Sequence, residues 1–262
     1  MAVGRERLTS SLSGKIVWVT GAGSGIGEAA ALALAEAGAH TALTGRRAEP
    51  LHAVAERIAA AGGAASVHPG DLARAAEVER IVAALGERFG RLDILVNNAG
   101  LNIHAREWAR LGPEGVDEVI GADLNAAFYC TIAVLPMMRA QHDGLLIHTA
   151  SLAGRFVGPL SGPTYTAAKH GVVAMSHSIN MEECVNGIRS CALCPGEVAT
   201  PILDKRPVPV SAEERAKMVQ PEDCANLIRY IAGLPPHVCI NEVLISPTWN
   251  RGYVAALQRG RP

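Results

Sequence analysis

The sequence predicts a doubly wound α/β fold: a seven-stranded parallel sheet with helices on both faces. One observation behind that expectation is the unit at residues 16–37. An apolar run (Ile16, Val17, Trp18, Val19) enters a glycine turn, Thr20-Gly21-Ala22-Gly23-Ser24-Gly25-Ile26-Gly27, and leaves it as an alanine-rich helix. The other is that strand-like and helix-like runs then keep alternating with no hairpin spacing between them. Strands joined in this way are parallel and buried on both faces.

In the first unit, the free N–H groups at the start of the helix can bind an anion, with phosphate the expected guest. The spacing does not match G-x-G-x-x-G, and the turn lacks the Lys-Ser/Thr ending of an ATP-binding loop. Gly38 is a natural C-cap, and residues 40–44 form the second strand. An acid just past that strand would bond a ribose 2′-hydroxyl. Gly45 stands there instead, followed by Arg46 and Arg47, which either bind a 2′-phosphate or are two solvated surface cations.

A helix at residues 49–61, with Leu51, Val54, Ala55 and Ile58 on one face, ends at Gly62-Gly63. The third strand is residues 64–68. Just past it, Asp71 can accept from an adenine amino group or cap the following helix, beside Leu72. Residues 78–89 make the next helix and 92–96 a strongly apolar strand, closed by Asn97-Asn98-Ala99-Gly100. A long helix at 114–140, interrupted near Pro136, leads to a strand at 145–149 that ends in Ala150-Ser151. Residues 165–183 are helical, 188–193 a strand ended by Pro195-Gly196, 221–232 a late helix and 242–246 the seventh strand. The proline-punctuated loop at 201–209, within a substrate loop of about residues 200–220, is long enough to act as a lid.

With 262 residues the chain fits one domain, residues 15–262, after an N-terminal extension of residues 1–14. Formal net charge is −1, with both signs interspersed, so no basic stripe suggests nucleic acid and no polybasic segment suggests anionic lipid. The N-terminus carries Arg5, Glu6 and Arg7 but no apolar core of a signal peptide, and no uninterrupted apolar stretch approaches the about 20 residues of a membrane span. A cytoplasmic protein acting on a small molecule is expected. Its six cysteines are expected to be reduced, and Cys191-x-x-Cys194 reads as buried small side chains, not a metal or redox pair. No metal site is expected.

Tyr165 and Lys169 are four residues apart in a helical segment, so they share a face one turn apart. A phenol with a pKa of about 10 is a poor acid or base at neutral pH, and bringing it to about 7 takes roughly 4 kcal/mol from a neighbouring ammonium. Ser151 offers a hydroxyl that could hold a carbonyl oxygen. Considered alone, a Tyr and a Lys at this spacing are more often an ordinary surface pair.

Together the glycine turn, Asn97-Asn98-Ala99-Gly100, Ser151, Tyr165-x3-Lys169 and Pro195-Gly196-x-Val198-x-Thr200 resemble the short-chain dehydrogenase/reductase family, single-domain dehydrogenase branch, over about residues 15–246. The resemblance implies hydride transfer between NADP(H) and a secondary alcohol or carbonyl carbon. Tyr165 would be the general acid/base, Lys169 would lower its pKa and bind the nicotinamide ribose, and Ser151 would orient the substrate oxygen. Gly21, Ser24, Gly25, Ile26 and Gly27 would line the pyrophosphate, Asp71 and Leu72 the adenine, Asn98 and Gly100 the ribose side, and Pro195, Gly196, Val198 and Thr200 the carboxamide. NADP is the expected cofactor with NAD possible. A homotetramer, or a dimer, would pair two central helices through Ala126, Ala127, Phe128, Ile132, Val172, Val173 and Met175.

Two departures from the family stand out. Its central-helix Asn, which helps hold a water joining Lys to solvent, is here Asp123, while Asn125 lies about 200° around the helix. The C-terminal Asn241-Glu242-Val243 to Pro247-Thr248 replaces a frequent Asp-Gly-Gly ending, which argues against an acyl-carrier reductase. The substrate pocket is expected from residues 101–104, 152–155, Pro159, Leu160, Glu197 and the loop from Pro201. Within it Arg155 either recognises an acid group or is solvated. The rival reading is a non-catalytic nucleotide-binding regulator or scaffold on the same fold.

Overall fold

The structure, a computed structural model, describes residues 11–206 and 209–259. Arg5, Glu6 and Arg7, with the rest of residues 1–10, and two positions of the proline-punctuated loop, 207 and 208, lie outside the described residues.

Seven parallel strands form one sheet in the order β3-β2-β1-β4-β5-β6-β7. They are β1 (Ile16–Thr20), β2 (His40–Thr44), β3 (Ala64–Val67), β4 (Ile94–Asn97), β5 (Gly144–Thr149), β6 (Ile188–Pro195) and β7 (Glu242–Ile245). Their near-continuous apolar runs follow from covering both faces. In β1, Val17 and Val19 enter one core with residues of α1 (Gly25–Glu36), α2 (Ala48–Ala60) and α8 (Pro221–Ala232). Ile16 and Trp18 enter the other, with α3 (Ala75–Phe89), α5 (Ala126–Gln141) and α6 (Pro163–Glu183). Trp18 is fully buried, and its indole N–H donates to Thr44 Oγ1 on β2 at 2.9 Å, so its one polar atom is paired. Leu12, on the N-terminal side of the expected start at Lys15, is 3% exposed and belongs to the first core.

The long central helix differs from its expected form. The interruption is not at Pro136, which stands inside α5 on an exposed face. It is a π-helical turn, Gly121–Asn125, between α4 (Pro113–Ile120) and α5, with the Ala126 N–H donating to Gly121 O. From Pro113 to Gln141 this helix is long and apolar enough to cross a membrane, with mean hydropathy 1.5. Here it covers the sheet, burying Cys130, Val134 and Met138.

Helix facing also corrects the expected interface. Ala126, Ala127, Val172, Val173 and Met175 are buried in this chain's own second core, because their positions on α5 and α6 face the sheet. Of that set Phe128 and Ile132 are exposed, at 40% and 62%. All six cysteines are free: Cys130, Cys191, Cys194 and Cys224 are buried, Cys184 and Cys239 exposed. Two elements were not expected, α7 (Ala212–Ala216) and α9 (Arg251–Arg259).

At the opposite end of the sheet from the glycine turn, Asp93 (2% exposed) ties the start of β1 to the start of β4. It accepts from the Ile16 N–H at 2.8 Å, Lys15 Nζ at 2.9 Å and Arg91 Nε at 3.1 Å. Burial alone would raise its pKa, but these donors outweigh it and hold the carboxyl below its ordinary value of 3.8. Asp93→Ala should lower the free energy of unfolding by about 2 to 4 kcal/mol in urea denaturation at pH 7, since it leaves a buried N–H and two cations without their acceptor. A carboxylate with a depressed native pKa stabilises fully above its unfolded pKa and ceases to do so as pH falls through the native one. The gap between wild type and variant should therefore close below about pH 4.

Candidate active site

At the carboxyl ends of β1 and β4 the connections leave towards opposite faces of the sheet. A cleft of about 710 Å³ opens there, its lining including Gly21, Ser24, Arg46, Asp71, Leu72 and Gly100. The glycine turn fits this place for steric reasons. Gly21 (φ +63°) and Gly25 (φ +58°) are left-handed, and a Cβ on Gly27 would lie 2.3 Å from Gly21 O. Ser24 is extended at the N-terminus of α1 and makes no side-chain cap, so the first-turn N–H groups, next to half-buried Ile26, remain for an anion.

Thr20 joins this turn to the segment after β4. Its fully buried Oγ1 accepts from the Asn98 and Ala99 N–H groups, each at 2.9 Å, and donates to Val96 O at 3.3 Å. The Asn98 side chain returns the contact, its amide donating to Thr20 O at 3.2 Å and Gly21 O at 3.4 Å. Asn98 thus braces the glycine turn.

Arg46 and Arg47 are exposed just past β2 and make no ion pair among the described residues. A Cβ on Gly45 would meet only Leu51, at 3.5 Å or more, so residue 45 has room for a side chain. Asp71 is exposed, and its Oδ1 accepts from the Ala73 N–H at 3.2 Å, capping the turn that precedes α3. Leu72 beside it is 5% exposed. From the other side of the cleft, Gly196 at the end of β6 donates to Ile245 O at 2.7 Å, Val198 bridges to Val219, and Thr200 is 8% exposed. The Thr200 Cγ2 would be 3.0 Å from a Cβ on Gly25, which brings the Pro195 to Thr200 segment over the glycine turn.

Tyr165 and Lys169 lie on one face of α6, with Nζ 5.4 Å from the ring centroid. Ser151 accepts from the Ala153 N–H at 3.1 Å, and its hydroxyl reaches both Pro195 O at 3.5 Å and the Tyr165 phenol. Lys169, 4% exposed, donates to Thr149 O at 3.1 Å and forms an ion pair with Asp123 Oδ1 at 3.0 Å. Asp123, 1% exposed on the π turn, also accepts from the Leu101 N–H at 3.1 Å through Oδ2. A Cβ on Gly100 would lie 2.5 Å from Asp123 Oδ1 and 3.3 Å from Lys169 Nζ. The absence of a side chain at 100 is therefore what lets the pair sit here.

Lys169 pulls the phenol's pKa down, as expected, but does not set its net direction. Burial, the largest influence, holds the Tyr165 phenol above its usual range; Lys169 opposes that and the Asp123 charge reinforces it. Burial alone would lower the Lys169 pKa, but Asp123 and Tyr165 outweigh it and raise it.

The comparisons with known proteins bear on this site. A model of the short chain dehydrogenase family matches residues 15–208. The chain belongs to the short-chain dehydrogenase/reductase family. An uncharacterised oxidoreductase of Staphylococcus aureus is 33% identical over 243 residues, which is 90% of this chain and 98% of that one. Glycine betaine reductase from Emericella nidulans is 37% identical over 248 residues; the match takes 90% of this chain but spans only 19% of that protein's length. Among solved structures, a metagenomic short-chain oxidoreductase in complex with NADP is 32% identical, with a TM-score of 0.80 over 92% of this chain and 100% of that one. This dehydrogenase/reductase chain is accordingly an oxidoreductase on a Rossmann-like fold.

Several pocket residues take roles that sequence reasoning left open or missed. Arg155 does not stand free: it pairs with Glu242 of β7 at 3.0 Å. Glu197 is held by Arg206 and Arg251, both at 2.6 Å. Burial would raise the Glu197 pKa, but those donors bring it below the usual range. His148 is fully buried on β5, accepts the Asn97 amide at 3.3 Å and is pushed down to about 3 by burial, so it is neutral. Arg106, 6% exposed, bonds Leu160 O and Lys205 O and lines a small cavity with Asn102 and Tyr165. Its sequence context, Ala-Arg-Glu-Trp-Ala-Arg, reads as solvated surface, and nothing local marks its burial.

Thr20→Val preserves shape but leaves the Asn98 and Ala99 N–H groups without an acceptor. It should lower stability by about 2 to 3 kcal/mol in urea denaturation, while Thr20→Ser should stay within about 1 kcal/mol of wild type. Equal stability of Thr20→Val and wild type would contradict the bracing role.

Proposed function

We propose that this protein transfers hydride between NADP(H), its preferred cofactor, and the carbon of a secondary alcohol or carbonyl substrate, with Tyr165 as the general acid/base. The observation that carries this reading is the convergence of the Tyr165 phenol, Ser151 hydroxyl and Lys169 ammonium beside a cleft edged by a left-handed glycine turn. Bound nicotinamide would give or take the hydride. In reduction the Tyr165 O–H gives its proton to the substrate oxygen, and in oxidation the phenolate takes the proton from the alcohol. Ser151 donates to that oxygen and orients it. Lys169 binds a ribose hydroxyl and bears on the phenol's charge. Gly21, Gly25 and the first turn of α1 would hold the pyrophosphate, Leu72 and Asp71 the adenine, and Val198 and Thr200 the carboxamide.

For oligomeric state, the reading is a homo-oligomer, tetramer or dimer, with Phe128 and Ile132 as exposed apolar contacts on α5. Free cysteines agree with work in a reducing cytoplasm.

Tyr165→Phe should fold and bind cofactor while losing at least about a thousandfold in kcat, followed by nicotinamide absorbance over a panel of ketones and alcohols. Near-wild-type turnover would remove the mechanism. Wild type that binds the cofactor but turns over nothing on a broad panel would favour the regulator instead.

Cofactor choice rests on Gly45 and Arg46. A charge-assisted contact to a 2′-phosphate is worth about 1.5 to 3 kcal/mol, or roughly ten- to more than a hundredfold in kcat/KM for NADP over NAD. Gly45→Asp with Arg46→Ile adds an acceptor for a free 2′-hydroxyl where the backbone has room and deletes the cation. That double variant should move the preference to NAD. A parent that already prefers NAD would refute this loop's reading and leave the Tyr165 mechanism standing.

A further inference from the structure

Asp123 brings a carboxyl group into a site whose other named ionisable partners are cationic or neutral; burial pushes its pKa above the usual carboxylate range, while Lys169 at 3.0 Å and the Leu101 N–H oppose that. Around the Tyr165 phenol stand Lys169 on its own helix, Asp123 on the π turn, Arg106 from the loop after β4 and the Ser151 hydroxyl after β5. Around Lys169 stand Asp123, Tyr165, the Thr149 carbonyl, His148 of β5 and Cys194 of β6. His148 is neutral, and the Cys194 thiol, pushed up to about 12 mainly by burial, is neutral too. Around Asp123 stand Lys169, the Leu101 N–H and, from the segment after β6, Lys205. Among the described residues, the one counter-charge meeting Lys169 within 3.0 Å is thus a carboxylate that is 1% exposed.

An amide oxygen at this position could still accept the Leu101 N–H but would leave the ammonium uncompensated. The carboxylate does something an amide cannot: it cancels the field that Lys169 exerts on the phenol, in surroundings where water screens little. The contact is also sterically prepared, since residue 100 has no Cβ to push the pair apart.

We propose that Asp123 is a positioning residue that neutralises Lys169 and thereby keeps Tyr165 in its proton-donating form to higher pH, favouring carbonyl reduction over alcohol oxidation near neutrality. It rests on Tyr165 being the acid/base, but the charge relation itself can be read without turnover. Asp123→Asn removes the negative charge and leaves the positive one, so the phenolate should form at lower pH. In alcohol oxidation the rising limb of kcat/KM moves down with it, and in carbonyl reduction the falling limb does the same.

The experiment is a phenolate difference-absorbance titration of the cofactor-free protein, with Tyr165→Phe subtracted to isolate this tyrosine. In Asp123→Asn the Tyr165 transition should fall by one pH unit or more, giving at least tenfold more phenolate at a fixed pH below both transitions. Lys169→Met should move it upward. Adding Asp123→Asn to Lys169→Met should bring it down again, and this double variant has no lone buried charge at the pair to unfold it. Thermal melts check that each variant is folded. A Tyr165 transition that does not move when Asp123 is replaced, alone or in the Lys169→Met background, overturns the inference and leaves the proposed reaction intact. Retained turnover in Tyr165→Phe would instead overturn the reaction, whatever the titration gives.

Discussion

Parallel pairing of β1 with β4, two strands separated in sequence by β2 and β3, is the constraint on which the rest of the molecule depends. Each parallel connection must cross the sheet, and the crossovers after β1 and β4 cover opposite faces. Their departing segments cannot close over the strand ends, and the cleft is what remains between them. Its walls must be held apart without being filled. Thr20 and Asn98 do this with backbone partners, which leaves the glycine turn's own N–H groups for a ligand. Asp93 holds the same pair of strands at the other end of the sheet.

Around the chemical groups, many polar atoms find partners on elements from elsewhere in the chain, while Thr149 Oγ1, Thr166 Oγ1 and Arg106 Nε are buried without a hydrogen-bond partner among the described residues. The Lys169 ammonium meets a strand carbonyl and a carboxylate from the π turn; Ser151 meets Pro195 O at the end of β6; Arg106 ties the loop carrying Leu160 to Lys205. Each contact is buried or half-buried, so its loss would leave an unpaired polar group and not a freely hydrated one. The segment after β6 is similarly tethered: Glu197 receives Arg206 and, from α9, Arg251, while Arg215 pairs with Asp204.

Legibility followed the range of the interaction. Strand positions, the glycine turn, Tyr165 with Lys169, and the late helix Pro221–Ala232 could be read because each depends on neighbours within about one turn of helix or a few strand residues. The faces of α5 and α6 could not. Ala126 and Val172 are as apolar as Phe128 and Ile132, and which of them meets the sheet depends on helix rotation. A π turn changes that rotation by one residue, about 100°. Asp123 could be located by register with Ser151, yet its direct hold on Lys169, 46 positions away, had no local mark.

The order of chain segments, their helical or extended character and the presence of a phosphate-sized turn are settled locally, by side-chain periodicity and by glycine where other residues clash. Folding decides which charges meet. Arg155 is spoken for by Glu242, Glu197 by Arg206 and Arg251, and Lys169 by Asp123, while Arg46 and Arg47 make no ion pair among the described residues. Coulomb energy depends on separation and local dielectric, and both are properties of the packed chain; residue identity supplies only the sign of each charge.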